Sequence, residues 1–215
     1  MRNRWRVVLC SIWTAAFLLS VVWGIQIKLG ILPYTDQWTR ELVTLVHGTV
    51  IFDIFRVITE LGSSHTLIPI AIVAALVIML LYKHWYPGLF LLGGSLFAHL
   101  LNLFIKQLVA RERPSISVAL NAEGFSFPSG HSMIPMVCYG LIAYFLCKKI
   151  RSEKIKITVQ ITLGSLVFLI GISRYFINVH YLTDIIAGFT IGFALLTIYI
   201  FLDSEFSDSR RRKNS

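Results

Sequence analysis

The sequence predicts an all-α, polytopic membrane protein with six transmembrane helices and amphipathic helices in its first outer loop. Three observations carry that expectation. Of the 215 residues, 56% are hydrophobic and only 14% charged, against about 25% charged in an ordinary soluble domain. Six apolar runs approach or reach the ~20 residues that a bilayer-spanning helix needs. Lys and Arg also divide unevenly between the segments that separate those runs, as the positive-inside rule expects.

The runs are drawn at 7–25, 66–82, 88–109, 132–147, 157–172 and 181–202. The first follows Arg2, Arg4 and Arg6 but leads into Ile25, Gln26 and Ile27. That offers no small-residue cleavage site, so it reads as a retained helix. The outer loop 26–65 places Trp38, Leu42, Leu45 and Val46, then Ile51, Ile54, Phe55 and Ile58, at helical spacing between Arg40, Glu41, Asp53 and Glu60. Two helices lying at the outer interface would satisfy this pattern, either guiding a lipid sideways or capping the bundle.

The third run carries Ser95, His99, Asn102 and Lys106 on one face, and polar groups on a spanning helix should point into the bundle. For His99 and Asn102 an interhelical hydrogen bond is favoured over chemistry. The fourth and fifth runs are short, which leaves five spans with a re-entrant segment as an alternative. In the sixth, Asp184, Gly188 and Gly192 repeat every four residues, a surface suited to close helix contact. No linker or repeat divides the chain, so 1–215 reads as one domain, with a polar tail from Asp203 expected to fray.

Six spans put both termini on one face. Lys28, Arg40, Arg56, Lys106, Arg111, Arg113 and Arg174 fall on the other, leaving 13 of the 20 Lys and Arg residues on the terminal side, which is thereby expected to be cytoplasmic. The formal net charge of +9 is explained by insertion and by anionic headgroups, and does not call for nucleic acid. Cys10, Cys138 and Cys147 lie in or beside apolar runs without motif spacing, so buried thiols are expected, with no disulfide and no metal site.

Three short segments at the outer ends of these runs carry the chemistry. The first holds Lys106 and Arg113 seven residues apart, ahead of Pro114. If the helix persists they share a face, where two cations could hold an anion or merely snorkel to the interface. Arg111 between them is read as balancing Glu112, with attraction of a headgroup as the alternative.

The second segment is Phe127, Pro128, Ser129, Gly130 and His131. Ser129 suits a helix cap, Gly130 permits close backbone approach, and the free N–H groups of the following helix favour an anion beside an imidazole. A water-facing His131 in an ordinary cap is the alternative. The third segment runs from Ser173 and Arg174 to His180 and Asp184. Four residues apart, the Asp184 carboxylate can accept from one ring nitrogen of His180 and present the other as nucleophile or base, and it favours the imidazolium.

In this order the motifs are Lys, six residues, Arg-Pro; then Pro-Ser-Gly-His; then Ser-Arg, five residues, His, three residues, Asp. The chain here resembles the type 2 phosphatidic acid phosphatase superfamily, and every fixed position of that pattern is present. Arg111 is not a fixed position. The resemblance implies a phosphatase that uses no metal or other cofactor and works through a phosphohistidine. By it, His180 attacks phosphorus, Asp184 orients it, and His131 protonates the leaving oxygen and then activates water. Lys106, Arg113 and Arg174, with Ser129 and the Gly130 amide, would hold the phosphate oxygens.

The implied partner is the bilayer and a phospholipid or polyprenyl phosphate within it, at the outer face of the cytoplasmic membrane. Phosphatidylglycerol phosphate is the favoured substrate, with undecaprenyl diphosphate and phosphatidic acid as alternatives. A transporter or scramblase is the reading from a different class, and it would leave His180 and Asp184 without a purpose. A soluble haloperoxidase is excluded by the six spans. Oligomeric state is not legible.

Overall fold

The computed structural model describes residues 2–114 and 124–213, with side chains described between Ser11 and Phe206. The chain forms α1 (Arg2–Lys28), α2 (Tyr34–Thr39) running into a 3-10 turn (Arg40–Val43), α3 (Val50–Glu60), α4 (Ser64–Tyr82), α5 (Tyr86–Val109), α6 (Gly130–Lys149), α7 (Glu153–Phe176) and α8 (Leu182–Lys213). The described residues contain no strand. Six of the helices, α1, α4, α5, α6, α7 and α8, are long and apolar enough to cross a bilayer.

The fourth and fifth spans are longer than their apolar runs, at 20 and 24 residues. Their polar ends, Lys148 and Lys149 on α6 and Glu153 to Lys156 on α7, are helical too, and the re-entrant alternative falls away. α6 is the axis of the bundle. Over half of it, 56%, is buried, against 17% of α7. Its positions Met133, Val137, Leu141 and Phe145, spaced by four, pack with Leu91 and Ala98 of α5, Ile78 of α4 and Ile170 of α7. The outward faces of the other spans remain apolar, as lipid contact requires.

α8 meets α6 through the small-residue row. A methyl group on Gly188 would stand 2.6 Å from the Ser129 carbonyl oxygen, and one on Gly192 would stand 2.8 Å from that of Met133. Only glycine permits that approach. At the far end of the same pair, Asp203 is buried and accepts from Lys148 Nζ at 2.7 Å and from the Tyr144 hydroxyl at 2.8 Å. The polar segment from Asp203 continues α8 to Lys213. Cys138 and Cys147 are free thiols, and the side chain of Cys10 lies outside those described.

The loop between α1 and α4 holds helices as expected, with much of their apolar stripe turned away from the bundle. Trp38, Leu42 and Leu45 point outward, as do Ile51 and Ile54, while Asp36, Thr39, Val43 and Thr59 are buried. Polar partners inside the protein decide the orientation, since a buried hydrogen bond left unmade costs more than an apolar side chain facing a membrane interface. Phe55 and Ile58 do turn inward, with Phe55 stacked on Phe176 of α7 at 5.2 Å.

Candidate active site

At the end of the bundle where α5 and α7 finish and α6 and α8 begin, the three motif segments converge. α5 stops at Val109 because Ala110 takes a left-handed conformation with φ 56°. Pro114 disfavours helix in the residue before it. Lys106 thus occupies the last helical turn, whereas Arg113 lies in non-helical chain beyond it, so the helix does not persist far enough for the pair to share a face. Arg113 reaches the site nonetheless. Its Nε donates to the Gly124 carbonyl at 2.9 Å, and its Nη1 donates to the Val179 carbonyl at 2.9 Å and lies 3.2 Å from His180 Nε2.

Ser129 occupies the cap position of α6, but its side chain makes no capping bond. Its backbone N–H donates to the Asp184 carbonyl at 3.0 Å, which ties the start of α6 to the start of α8. Asn102 of α5 donates to the Pro128 carbonyl at 3.1 Å and steadies the loop from the other side, the structural role expected of it. Gly130 sits where a side chain would meet Asn102 Oδ1 at 3.1 Å.

The Ser129 hydroxyl is buried without a partner, and so are the Ser132 hydroxyl and Arg174 Nε. Buried donors left unmatched are expensive in a finished fold and are expected where a ligand completes the set. Arg174, at the end of α7, spends one other donor on Thr59 Oγ1 of α3 at 3.3 Å. His131 stands in the first turn of α6, close against Gly62 between α3 and α4. The charges of Lys106, Arg113, Arg174 and His180 all reach it.

His180 is 2% exposed. Its Nδ1 lies 3.3 Å from Asp184 Oδ2 and 3.2 Å from Ser126 Oγ. Ser126 in turn donates to Asp184 Oδ2, and the Tyr181 N–H donates to the same oxygen at 2.9 Å. Asp184 favours the imidazolium as expected, but burial outweighs it, helped by the charges of Arg113 and Arg174. The ring is pushed down to about 3. At neutral pH the imidazole is therefore neutral, with Nδ1–H toward Asp184 and Ser126 and the Nε2 lone pair toward Arg113. Burial also lowers the Arg113 guanidinium, opposed by Asp184.

The structure thus brings together Lys106, Arg113, Ser129, Gly130, His131, Arg174, His180 and Asp184. Three groups that the motifs do not contain join them: Ser126, Thr59 and Arg111. Arg111 does not balance the exposed Glu112. It is 6% exposed, its Nη1 is 2.6 Å from Asp184 Oδ1, its Nη2 is 2.7 Å from Asp36 Oδ2, and its plane lies 3.7 Å from the Tyr181 ring centroid. Nothing in the sequence marks Asp36, which lies 75 residues from Arg111 and 147 from Thr183. Arg111 was at least conspicuous as a cation in the motif loop. The described residues hold no cluster of His, Cys, Asp and Glu suited to a metal ion. Together the cations, the unmatched donors and a helix N-terminus can hold a phosphate-sized anion against a neutral imidazole nitrogen.

A family model described as the PAP2 superfamily matches residues 87–206, from the start of α5 into α8. Phosphatidylglycerophosphatase B of Bacillus subtilis (strain 168) is 30% identical over 197 residues, which is 91% of this chain and 97% of that one. Dolichyldiphosphatase 1 of Dictyostelium discoideum is 28% identical over 60% of this chain and 58% of its own. The dolichyldiphosphatase of Saccharomyces cerevisiae is 22% identical over 80% and 71%. Among solved structures, a transmembrane PAP2-type phosphatidylglycerolphosphate phosphatase from Bacillus subtilis superposes with a TM-score of 0.79 at 30% identity, covering 90% of this chain and 96% of that one. With the family model spanning more than half its length and all three motif segments, the chain belongs to the PAP2 superfamily and is a membrane-embedded phosphatase.

Proposed function

We propose that this phosphatase hydrolyses a phosphate ester on a membrane lipid, at the outer face of the cytoplasmic membrane, through a phosphohistidine on His180. The observation that carries the reading is the His180 ring itself, with Nδ1 held by Asp184 and Nε2 turned toward Arg113 among unmatched phosphate-type donors. A neutral ring nitrogen is a competent nucleophile. Nε2 bonds to phosphorus as the lipid oxygen leaves, and His131 supplies that oxygen with a proton. His131 then takes a proton from water, which attacks phosphorus, breaks the N–P bond and releases inorganic phosphate. Lys106, Arg113, Arg174, the Ser129 hydroxyl and the Gly130 amide stabilise the charge on the non-bridging oxygens. The first step leaves positive charge on the imidazole, which Asp184 offsets.

An apolar cavity of about 630 Å³ between α1, α5 and α8, lined by Phe17, Val21, Leu101, Ile105, Phe127 and Ala194 among others, supports a substrate with a hydrocarbon tail. Phe127 joins that cavity to the Ser129 loop. Phosphatidylglycerol phosphate is the leading substrate, from the likeness to the Bacillus phosphatase over nearly the whole chain. A polyprenyl diphosphate such as undecaprenyl diphosphate is the second, from the weaker likeness to two dolichyldiphosphatases.

The test is phosphate release by detergent-purified protein from phosphatidylglycerol phosphate, undecaprenyl diphosphate and phosphatidic acid, with chelator present. Release should persist in chelator and vanish in His180→Ala, and the ranking of rates identifies the substrate. A strict need for a divalent ion, or turnover in the variant, would overturn the mechanism.

A further inference from the structure

The carboxylate of Asp184 is fully buried and engaged on both oxygens. Oδ2 takes the His180 ring, the Ser126 hydroxyl and the Tyr181 N–H. Oδ1 takes Arg111 Nη1 at 2.6 Å. Arg111 therefore meets the carboxylate on the side away from the imidazole. Its other amino group is spent on Asp36 at 2.7 Å, and its plane is packed on Tyr181. A planar fork held at both tines and on one face has no freedom to swing toward a ligand.

Asp36 completes the arrangement from the outer loop. It is 2% exposed. Its Oδ1 accepts the backbone N–H of Thr183 at 3.0 Å, and its Oδ2 accepts the Thr183 hydroxyl at 2.6 Å. That N–H belongs to the first turn of α8, where helix donors lack partners of their own. One carboxylate from α2 thus caps the helix that carries Asp184 and also holds the arginine that grips Asp184. Thr183 closes the circuit by accepting from Arg111 Nη1 at 2.9 Å. Three charged side chains, each under 7% exposed, share these contacts, and removing one leaves the others buried without compensation.

We propose that Arg111, locked by Asp36, is a positioning residue: it fixes which oxygen of Asp184 faces His180 and so aims the imidazole Nε2 at the phosphate pocket. The inference rests on the reading of His180 as nucleophile and Asp184 as its orienting partner. It makes the docking of α2 a condition for turnover, because the outer loop supplies one end of the clamp.

The experiment is a double-mutant cycle between Arg111→Gln and Asp184→Asn, with Asp36→Asn as a lighter perturbation that keeps size and shape. Turnover, KM and inhibition by inorganic phosphate are measured for each in detergent. Arg111→Gln should lower kcat by about 10- to 100-fold, the usual effect of losing a group one shell removed from the reacting atoms, with KM and phosphate inhibition within about threefold. Asp36→Asn should lower kcat in the same direction by less. In the Asp184→Asn background, adding Arg111→Gln should cost nothing further, because its influence passes through that carboxylate.

Losses that multiply would show Arg111 acting elsewhere and overturn the inference. So would phosphate inhibition that disappears together with kcat, since Arg111 would then belong to the anion site or to folding alone. Unchanged kcat in both Arg111→Gln and Asp36→Asn, beside an impaired Asp184→Asn, would sink this inference alone. Normal turnover in Asp184→Asn would instead sink the reading beneath it.

Discussion

The behaviour of the site is set by the surroundings of one ring. His180 is held near 3 where an unfolded chain would titrate near 6.5. Between those values the unfolded state binds a proton that the native state does not, so stability falls as pH falls from about 6.5 toward 3. The thermal midpoint of the detergent-solubilised protein should therefore drop between pH 6 and pH 4, and drop less in His180→Gln. Equal losses in both would show that the ring is not held neutral. At this scale the motif residues were legible because each is a costly polar or charged group at the edge of an apolar run. Ser126, Thr59 and Asp36 were not, since a serine, a threonine and a loop aspartate are ordinary in such places and only the fold brings them to His180, Arg174 and Arg111.

At the scale of elements, the sharpest constraint is the contact between α6 and α8. Gly188 faces the Ser129 carbonyl, the same residue whose N–H meets the Asp184 carbonyl. Gly188→Ala would force a methyl to within 2.6 Å of that oxygen, and backbone must move to admit it. The variant should lose about 1–3 kcal/mol of stability, as overpacking does, seen as a lower thermal midpoint. It should also lose turnover at temperatures where it remains folded, because the Ser129 loop shifts against Asp184. The glycine period announced this surface in the sequence. Which way these loop helices turn their apolar stripes was not announced, because periodicity locates a stripe without saying whether protein or membrane receives it.

On the scale of the whole molecule, six spans and their order were legible from hydrophobic length alone, since a bilayer leaves few other ways to satisfy backbone polar groups. The cavity between α1, α5 and α8 was not, because its walls come from three distant segments whose residues look like ordinary span. If that cavity takes the substrate's tail, Ala194→Phe should raise KM for a long-chain lipid phosphate several-fold. It should leave KM for a short-chain, water-soluble phosphate ester unchanged. Equal effects on both substrates would remove the cavity from the binding path.

The bond from the Ser129 N–H to the Asp184 carbonyl also carries a consequence for biosynthesis. It joins the start of the fourth span to the start of the sixth, so it can close only after Asp184 has been made. Until then a nascent chain carries Lys106, Arg113 and Arg174, and finally His180, without the carboxylate of Asp184. On the proposed mechanism, a product truncated before Asp184 keeps the cations and His180 but lacks the group that aims the ring, so it should hold phosphate with little turnover.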